Sequence, residues 1–373
     1  MARKLVTLRT IKDIQPIKGA DMIVAATIDG WQVVTKKDEF NIGDPCVFFE
    51  IDSYLPADDS RYEFLLKGGV KDAPDGKKRI RLRSIKLRKT LSQGLALPLD
   101  KFPEIEQNPD LEDYADVLGV TKYERPEPKA PNAGGRFSDL LHKTDEERIQ
   151  NLFDKMKEQY KDVTFVPTLK LDGTSTTIAC FGHNFETEWK FKEEDEQKKA
   201  IDIALEDGNK FAEVQVFSRN MLLKVDEQSH YFKPMYRENL HEKLVRMCYD
   251  YGESLAIQGE TMGNGIQKNP ENLKQFEFFA FNIWSVDKQE YLDYQKACQL
   301  LDQYGVQRVP EIEEPFKVFE RFETLEELLA YADGKSINSD IREGVVFKSI
   351  GTDTPVSFKV ISNEFLLKVE GKQ

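Results

Sequence analysis

Hydrophobic and polar positions change places quickly through the first part of the chain. "MIVAATIDGWQVVT" sets β-branched residues on both sides of an Asp-Gly pair, as two strands joined by a tight turn would. "FNIGDPCVFFEID" leads from a Gly-Asp-Pro turn into the apolar run Cys46 to Phe49. Arg79, Arg81 and Arg83 alternate with Ile80 and Leu82, a period of two that puts basic side chains on one face and apolar ones on the other. "SQGLALPL" supplies one more short strand. Residues 1 to about 118 thus read as short strands with turns, which predicts a small barrel.

The period then changes. Residues 124–136, "ERPEPKAPNAGGR", are rich in proline, alanine and glycine and mark a linker, bounded at 121–140. A T-x-x-E capping box at Thr144 and Glu147 predicts a helix start, and Ile149, Leu152, Phe153 and Met156 continue it at helical spacing. Strands follow at about 163–170 and 174–180, and the polar segment 184–212 reads as a partly helical insertion. Leu240, Leu244, Met247, Cys248 and Tyr251 mark a second amphipathic helix ending at Gly252. Strands recur at "SLAIQGE", "FEFFAFNIW", "GVVFKS" and "VSFKVI". Helical stretches lie between them near 290–304 and 324–333, the latter capped by Thr324 with Glu327. Residues 141–373 therefore form an α+β domain with a mostly antiparallel sheet.

Composition narrows the class. The chain has 373 residues, which at roughly 100–200 per domain suggests two or three domains. Hydrophobic residues make up 40% and charged residues 32%, enough for a real core. No apolar run approaches the roughly 20 residues that span a bilayer. The opening "MARKLVTLRT" has no apolar signal region, so a cytoplasmic protein without a membrane partner is expected. Cys46, Cys180, Cys248 and Cys298 are scattered, and His142, His183, His230 and His241 have no ligand spacing with them. A zinc site or disulfide framework is disfavoured, and buried reduced thiols are expected. The net charge of −13 argues against nucleic acid, but its distribution does not. "KKRIRLRSIKLRK", 77–89, is densely basic, while 192–208 is mainly acidic. A basic patch on a barrel of the OB type suits a phosphate backbone. The same residues also suit a solvated edge strand.

The second domain carries candidate chemistry. In "TLKLDGTSTT" a strand ends at Lys170, two positions before an Asp-Gly pair. A lysine amine is charged near its usual pKa of about 10.4, and neighbouring cations or partial desolvation lower that value and free a nucleophile. Alone, Lys-x-Asp-Gly also fits an exposed hairpin. Four other stretches join it: "QGETMG" with Glu260, "REGVVFK" with Glu343 and Lys348, "SFKVI" with Lys359, and "FFAFNIW" with Phe281. Taken singly, each has a plainer reading as a solvated acid, a wet-face lysine or a core ring. Together they supply what phosphoryl transfer from a nucleotide needs. That is a nucleophile, carboxylates for a hydrated divalent metal, cations for phosphates and an aromatic base platform. Asp172, Glu260 and Glu343 are the carboxylates; Lys348, Lys359, Arg148 and Arg219 are the cations.

In this order the set resembles the covalent nucleotidyltransferase superfamily of polynucleotide ligases and mRNA capping enzymes. "KLDGTS" matches the nucleophile motif and "SRN", 218–220, the next one, with Arg219 as its arginine. "QGETMG", "FEFFAFNIW", "REGVVFK" and "SFKVI" match those that follow. The N-terminal stretches "GWQVVTKKDEFNIGDPCVFFEIDSYLP" and "LRKTLSQGLALPLD", with "HKTDEERIQN", resemble the fifth family of RNA ligases. That resemblance implies an OB module at residues 1–120, followed by an ATP-grasp-like, DNA-ligase-type nucleotidyltransferase domain of antiparallel sheets with flanking helices. With the sequence ending soon after "SFKVISNEFLLK", no C-terminal OB domain is expected.

The resemblance also implies roles. Lys170 would attack the α-phosphate of ATP and carry AMP, which then passes to an RNA 5′-phosphate before a 3′-OH seals the strand. Asp172, Glu260 and Glu343 would hold the waters of magnesium or manganese, and Glu260 would also meet the ribose. Phe281 and Val346 would sandwich adenine. Leu169 and Lys348 would line the nucleotide, with Arg148 on the outgoing phosphates and Arg219 and Lys359 on the others. Arg79, Arg81, Arg83, Lys86 and Arg88 would grip RNA, expected to be duplex or nicked, and the expected state is a monomer. The fifth motif carries one lysine, with Ser357 and Ile361 two positions to either side. A capping-type guanylyltransferase and a non-catalytic RNA-binding protein on the same scaffold remain alternatives. GTP preference would favour the first, and a damaged motif set, which is not found, the second.

Overall fold

The computed structural model describes residues 3–73, 75–123, 133–182, 201–204 and 211–369. They form two compact units. One comprises Met1–Pro126, Gln150–Phe153 and Asn363–Gln373; the other comprises Glu127–Ile149 and Asp154–Ser362.

The first unit is a barrel of short antiparallel strands. Pro45–Phe49 pairs with Val6–Thr10 on one side and Leu95–Pro98 on the other. Its unbroken apolar run is explained by burial on both faces. Cys46 and Phe48 enter one cluster with Trp31, while Val47 and Phe49 enter another with Tyr62 and Phe102. Asp29-Gly30 closes the hairpin of Ile23–Ile28 and Trp31–Lys36, as its sequence predicts. Gln150–Phe153 belongs here because Asn151 Oδ1 accepts from Trp31 Nε1 and from Arg9, both at 3.0 Å.

The second unit is built on two sheets. The larger runs in the order Ala133–Arg136, Met221–Leu223, Phe211–Phe217, Thr174–Phe181, Leu255–Met262, Glu277–Ser285 and Glu290–Tyr291, all antiparallel. Helix Leu240–Tyr251 covers it, placing Leu240, Leu244, Val245 and Cys248 against Ile178, Val214 and Ile257. The helix ends as its sequence predicts, at Gly252 in the left-handed region, whose N–H donates to Cys248 O. The smaller sheet is Thr164–Lys170, Gly344–Ile350 and Ser357–Ile361. Residues 307–316 join the two sheets: Ala280 N–H donates to Gln307 O, Leu169 N–H to Pro310 O, and Phe316 N–H to Phe165 O.

Three local expectations change. No helix begins at Thr144. A 3-10 turn covers Ile149–Asn151 and the helix proper is Phe153–Tyr160. The segment before it is extended, because Lys359 N–H donates to Glu147 O at 2.9 Å and Arg148 bridges Lys359 in parallel. The expected linker, 121–140, is described only at its two ends. Thr121–Lys122 and Ala133–Arg136 are strands, and 124–132 lies outside the described residues. Most of the 184–212 insertion lies outside them too, and its described part, Ile201–Ala204, is a strand rather than a helix.

Candidate active site

Lys170 ends its strand opposite Gly344. Glu343 precedes the neighbouring strand by one residue, so its carboxylate meets the lysine, and Nζ donates to Oε1 at 2.7 Å. On its other side Gly344 lies tight against strand Ser357–Ile361, where a Cβ would lie 2.2 Å from Val360 O. The chain then leaves the smaller sheet, and Asp172-Gly173 carries it across to Thr174–Phe181 in the larger one. The Asp-Gly pair closes no hairpin. At Gly173 a Cβ would lie 2.5 Å from Thr261 O, and the N–H donates to Glu260 Oε1 at 3.1 Å. Glycine is therefore required for the crossing. Asp172 acts electrostatically on both Lys170 and Glu260.

Three carboxylates around one ammonium set the electrostatics. Burial, with Glu343 and Asp172, pushes Glu260 up to about 8 against the opposing pull of Lys170 and the Gly173 N–H. Burial presses Lys170 down, but Glu343, Glu260 and Asp172 outweigh it and hold the lysine above its ordinary value. The expected lowering is thus reversed, because the nearest charges are anions and not cations. Among the described residues no three His, Cys, Asp or Glu side chains are gathered closely enough to bind a metal ion directly. The donor set still fits a hard divalent cation held through water. It offers oxygen alone with excess negative charge, and Glu343 Oε2 is buried without a hydrogen-bond partner.

Phe281 owes its placement to a bulge. Gln258 pairs with Asn282 and Gly259 with Ala280, so Phe281 is the extra residue between them. It is half-buried and packs on the cluster of Leu169, Leu171 and Phe279. Lys348 is buried, hydrogen-bonded to Asn282 Oδ1, with Nζ 5.7 Å from the centre of the Phe281 ring. Burial lowers its pKa. Val346, in the same strand, pairs with Thr168 and Lys359.

Lys359 and Arg219 are brought together by a residue the motifs did not single out. Asp145 Oδ1 accepts from Lys359 Nζ at 3.2 Å and Oδ2 pairs with Arg219 at 3.3 Å. Burial lowers the Lys359 pKa; Asp145 opposes this, while Lys170 and Arg148 add to it. Arg148 bridges Lys359 along the backbone. Asp145 was hidden by the helix reading of Thr144–Glu147, and Asn282 by its place inside an apolar strand.

The barrel arginines do not form one exposed row. Arg79 is buried, donating to Gly119 O at 2.6 Å and to Asp75 at 2.6 Å. Arg81 pairs with Asp52 at 2.6 Å and lies 3.6 Å over the Tyr123 ring. These two hold the barrel together. Arg83 is half-buried, and Lys86 and Arg88 are exposed on the hairpin of Ser84–Leu87 and Thr90–Gln93.

The RNA ligase family profile matches residues 163–361, and an OB-fold domain profile matches residues 5–99. The chain belongs to the RNA ligase family. Solved structures like this ligase include Naegleria gruberi RNA ligase with PPi, at 36% identity and TM-score 0.77, covering 98% of this chain and 99% of that one. A mutant of that protein with AMP and Mn matches equally, at 36% identity and TM-score 0.77 over 98% of this chain and 99% of that one. Another, with ATP and Mn, has 35% identity and TM-score 0.77 over the same 98% and 99%. No curated protein sequence matches.

Proposed function

We propose that this ligase uses ATP to join an RNA 3′-OH to a 5′-phosphate through AMP carried on Lys170. One observation carries the reading: the Lys170–Glu343 contact at 2.7 Å, beside Glu260 and Asp172, where two sheets meet. Lys170 Nζ gives a proton along its hydrogen bond to Glu343 Oε1 and then forms the N–P bond as the bond to pyrophosphate breaks, the second proton of the amine leaving to solvent. Asp172, Glu260 and Glu343 are the residues that would hold magnesium or manganese, whose charge would offset the phosphates and the carboxylates. Phe281 stacks on adenine, with Val346 opposite and Leu169 at the edge. Lys348 sits beneath, and Lys359, Arg219 and Arg148 meet phosphates. AMP then passes to the RNA 5′-phosphate, and the 3′-OH displaces it.

The test is label transfer from ATP bearing radioactive phosphorus at the α position, with magnesium or manganese. Wild type is expected to gain acid-labile label, Lys170→Ala none, and GTP none. Label from GTP alone would move the protein to capping chemistry. No label from either would leave an RNA-binding scaffold.

The expected substrate is nicked or duplex RNA, met by a monomer. Exposed Lys86 and Arg88 on the barrel hairpin support strand binding there. Comparing sealing of a nicked duplex with that of free single strands decides it.

A further inference from the structure

Beside the site the larger sheet ends in a group of rings that the chemistry at Lys170 does not use. Thr174 pairs with Thr261, and Met262 with Glu277. Gly173, Gly263 and Phe276 therefore stand at one end of three adjacent strands, the end at which the chain crosses from Lys170. Gly263 closes "QGETMG" with φ +145°, and a Cβ there would lie 2.7 Å from Cδ1 of Phe276. The glycine lets the Phe276 ring rest on the strand end. His230 packs on Tyr231 with centroids 4.1 Å apart and on Phe276 at 6.0 Å. Tyr231 OH lies 3.2 Å from Thr174 Oγ1, one residue past the Gly173 N–H that holds Glu260.

These rings are half-buried, and cations flank them. Lys233 is exposed, its Nζ 5.8 Å from the centre of the Phe276 ring. Arg237 donates to Phe276 O at 2.7 Å and fixes that ring's backbone. An aromatic surface with an exposed cation, continuous with the nucleophile's turn, has the chemistry of a base and its phosphate. Burial holds His230 below its ordinary pKa, so near pH 7 it offers a neutral ring. We propose that His230, Tyr231 and Phe276 form a stacking platform for a nucleobase of the reacting RNA end, with Lys233 on the adjacent phosphate.

The inference rests on the proposed use of RNA ends at Lys170, and two readouts separate them. Full-length wild type, Phe276→Leu, Lys233→Ala and Tyr231→Phe are compared for label transfer from ATP and for affinity toward a nicked RNA duplex at several salt concentrations. Phe276→Leu is expected to weaken RNA binding about tenfold and to slow sealing, with label transfer within about twofold of wild type. Lys233→Ala, on an exposed side chain, should reduce the salt slope by about 1. Tyr231→Phe keeps the ring and should bind RNA normally. RNA affinity unchanged in both Phe276→Leu and Lys233→Ala would overturn the platform. So would loss of label transfer in step with RNA binding, which would make these rings part of the fold or of the nucleotide site. A wild type that takes no label would instead sink the reading of Lys170 itself.

Discussion

Asp145 sits between two cations of unequal exposure, and that inequality sets its consequences. Arg219 is 56% exposed, so its pair with Asp145 contributes little in water. Lys359 is 19% exposed, and there the carboxylate opposes the burial that lowers the lysine's pKa. Removing Asp145 removes that opposition, so the Lys359 pKa falls further and the amine loses its charge at a lower pH. If charged Lys359 is needed for label transfer, Asp145→Ala is thus expected to move the alkaline loss of activity to lower pH. A pH profile identical to wild type would show that Lys359 does not depend on this partner. Residues of this kind were poorly legible in the sequence. Lys170, Glu260 and Glu343 were found by motif. The charge state of Lys170 was not, because its dominant partner, Glu343, lies 173 positions away and across a strand pair.

The same local signal succeeds at one helix and fails at another. Thr324 and Glu327 form a full capping box, with Glu327 N–H donating to Thr324 Oγ1 at 3.3 Å and the Glu327 carboxylate accepting from Thr324 N–H at 3.2 Å. Thr144 and Glu147 have the same spacing but open no helix, because the Glu147 carbonyl is taken by the Lys359 strand. A capping box is worth about 1 kcal/mol, which a strand-like backbone pairing can outweigh. Helix Leu325–Tyr331 is away from that competition. Thr324→Ala is expected to cost about 1 kcal/mol in urea unfolding and to leave label transfer unchanged. The matching change at Thr144 should cost no helix stability, as no helix starts there. Most long strands were legible, since their apolar runs are buried in sheets, but Phe211–Phe217 was not, its start being read as the end of the polar insertion. The Phe281 bulge was not, because only the partner strand reveals which residue is unpaired.

Across the whole molecule, a net charge of −13 coexists with a strand-binding role only if cations are placed selectively. The alternation of Arg79, Ile80 and Arg81 gave the strand correctly but not the use of its arginines. The barrel spends Arg79 on Asp75 and Gly119 and Arg81 on Asp52 and Tyr123, and leaves Lys86 and Arg88 in water on a hairpin. Two kinds of variant should therefore separate. Arg79→Ala leaves the Gly119 carbonyl without its donor and is expected to lower the unfolding midpoint, with any loss of RNA binding following from the barrel's instability. Lys86→Ala with Arg88→Ala removes two exposed charges and should leave the midpoint alone. If both meet phosphates, the slope of log affinity against log salt falls by roughly 2 on a duplex. A nicked RNA duplex titrated at several salt concentrations, with unfolding curves on the same samples, measures both. An unchanged slope in the double variant would remove RNA from this hairpin and return Lys86 and Arg88 to the solvated-edge role, in which lysine and arginine only keep an exposed strand from pairing.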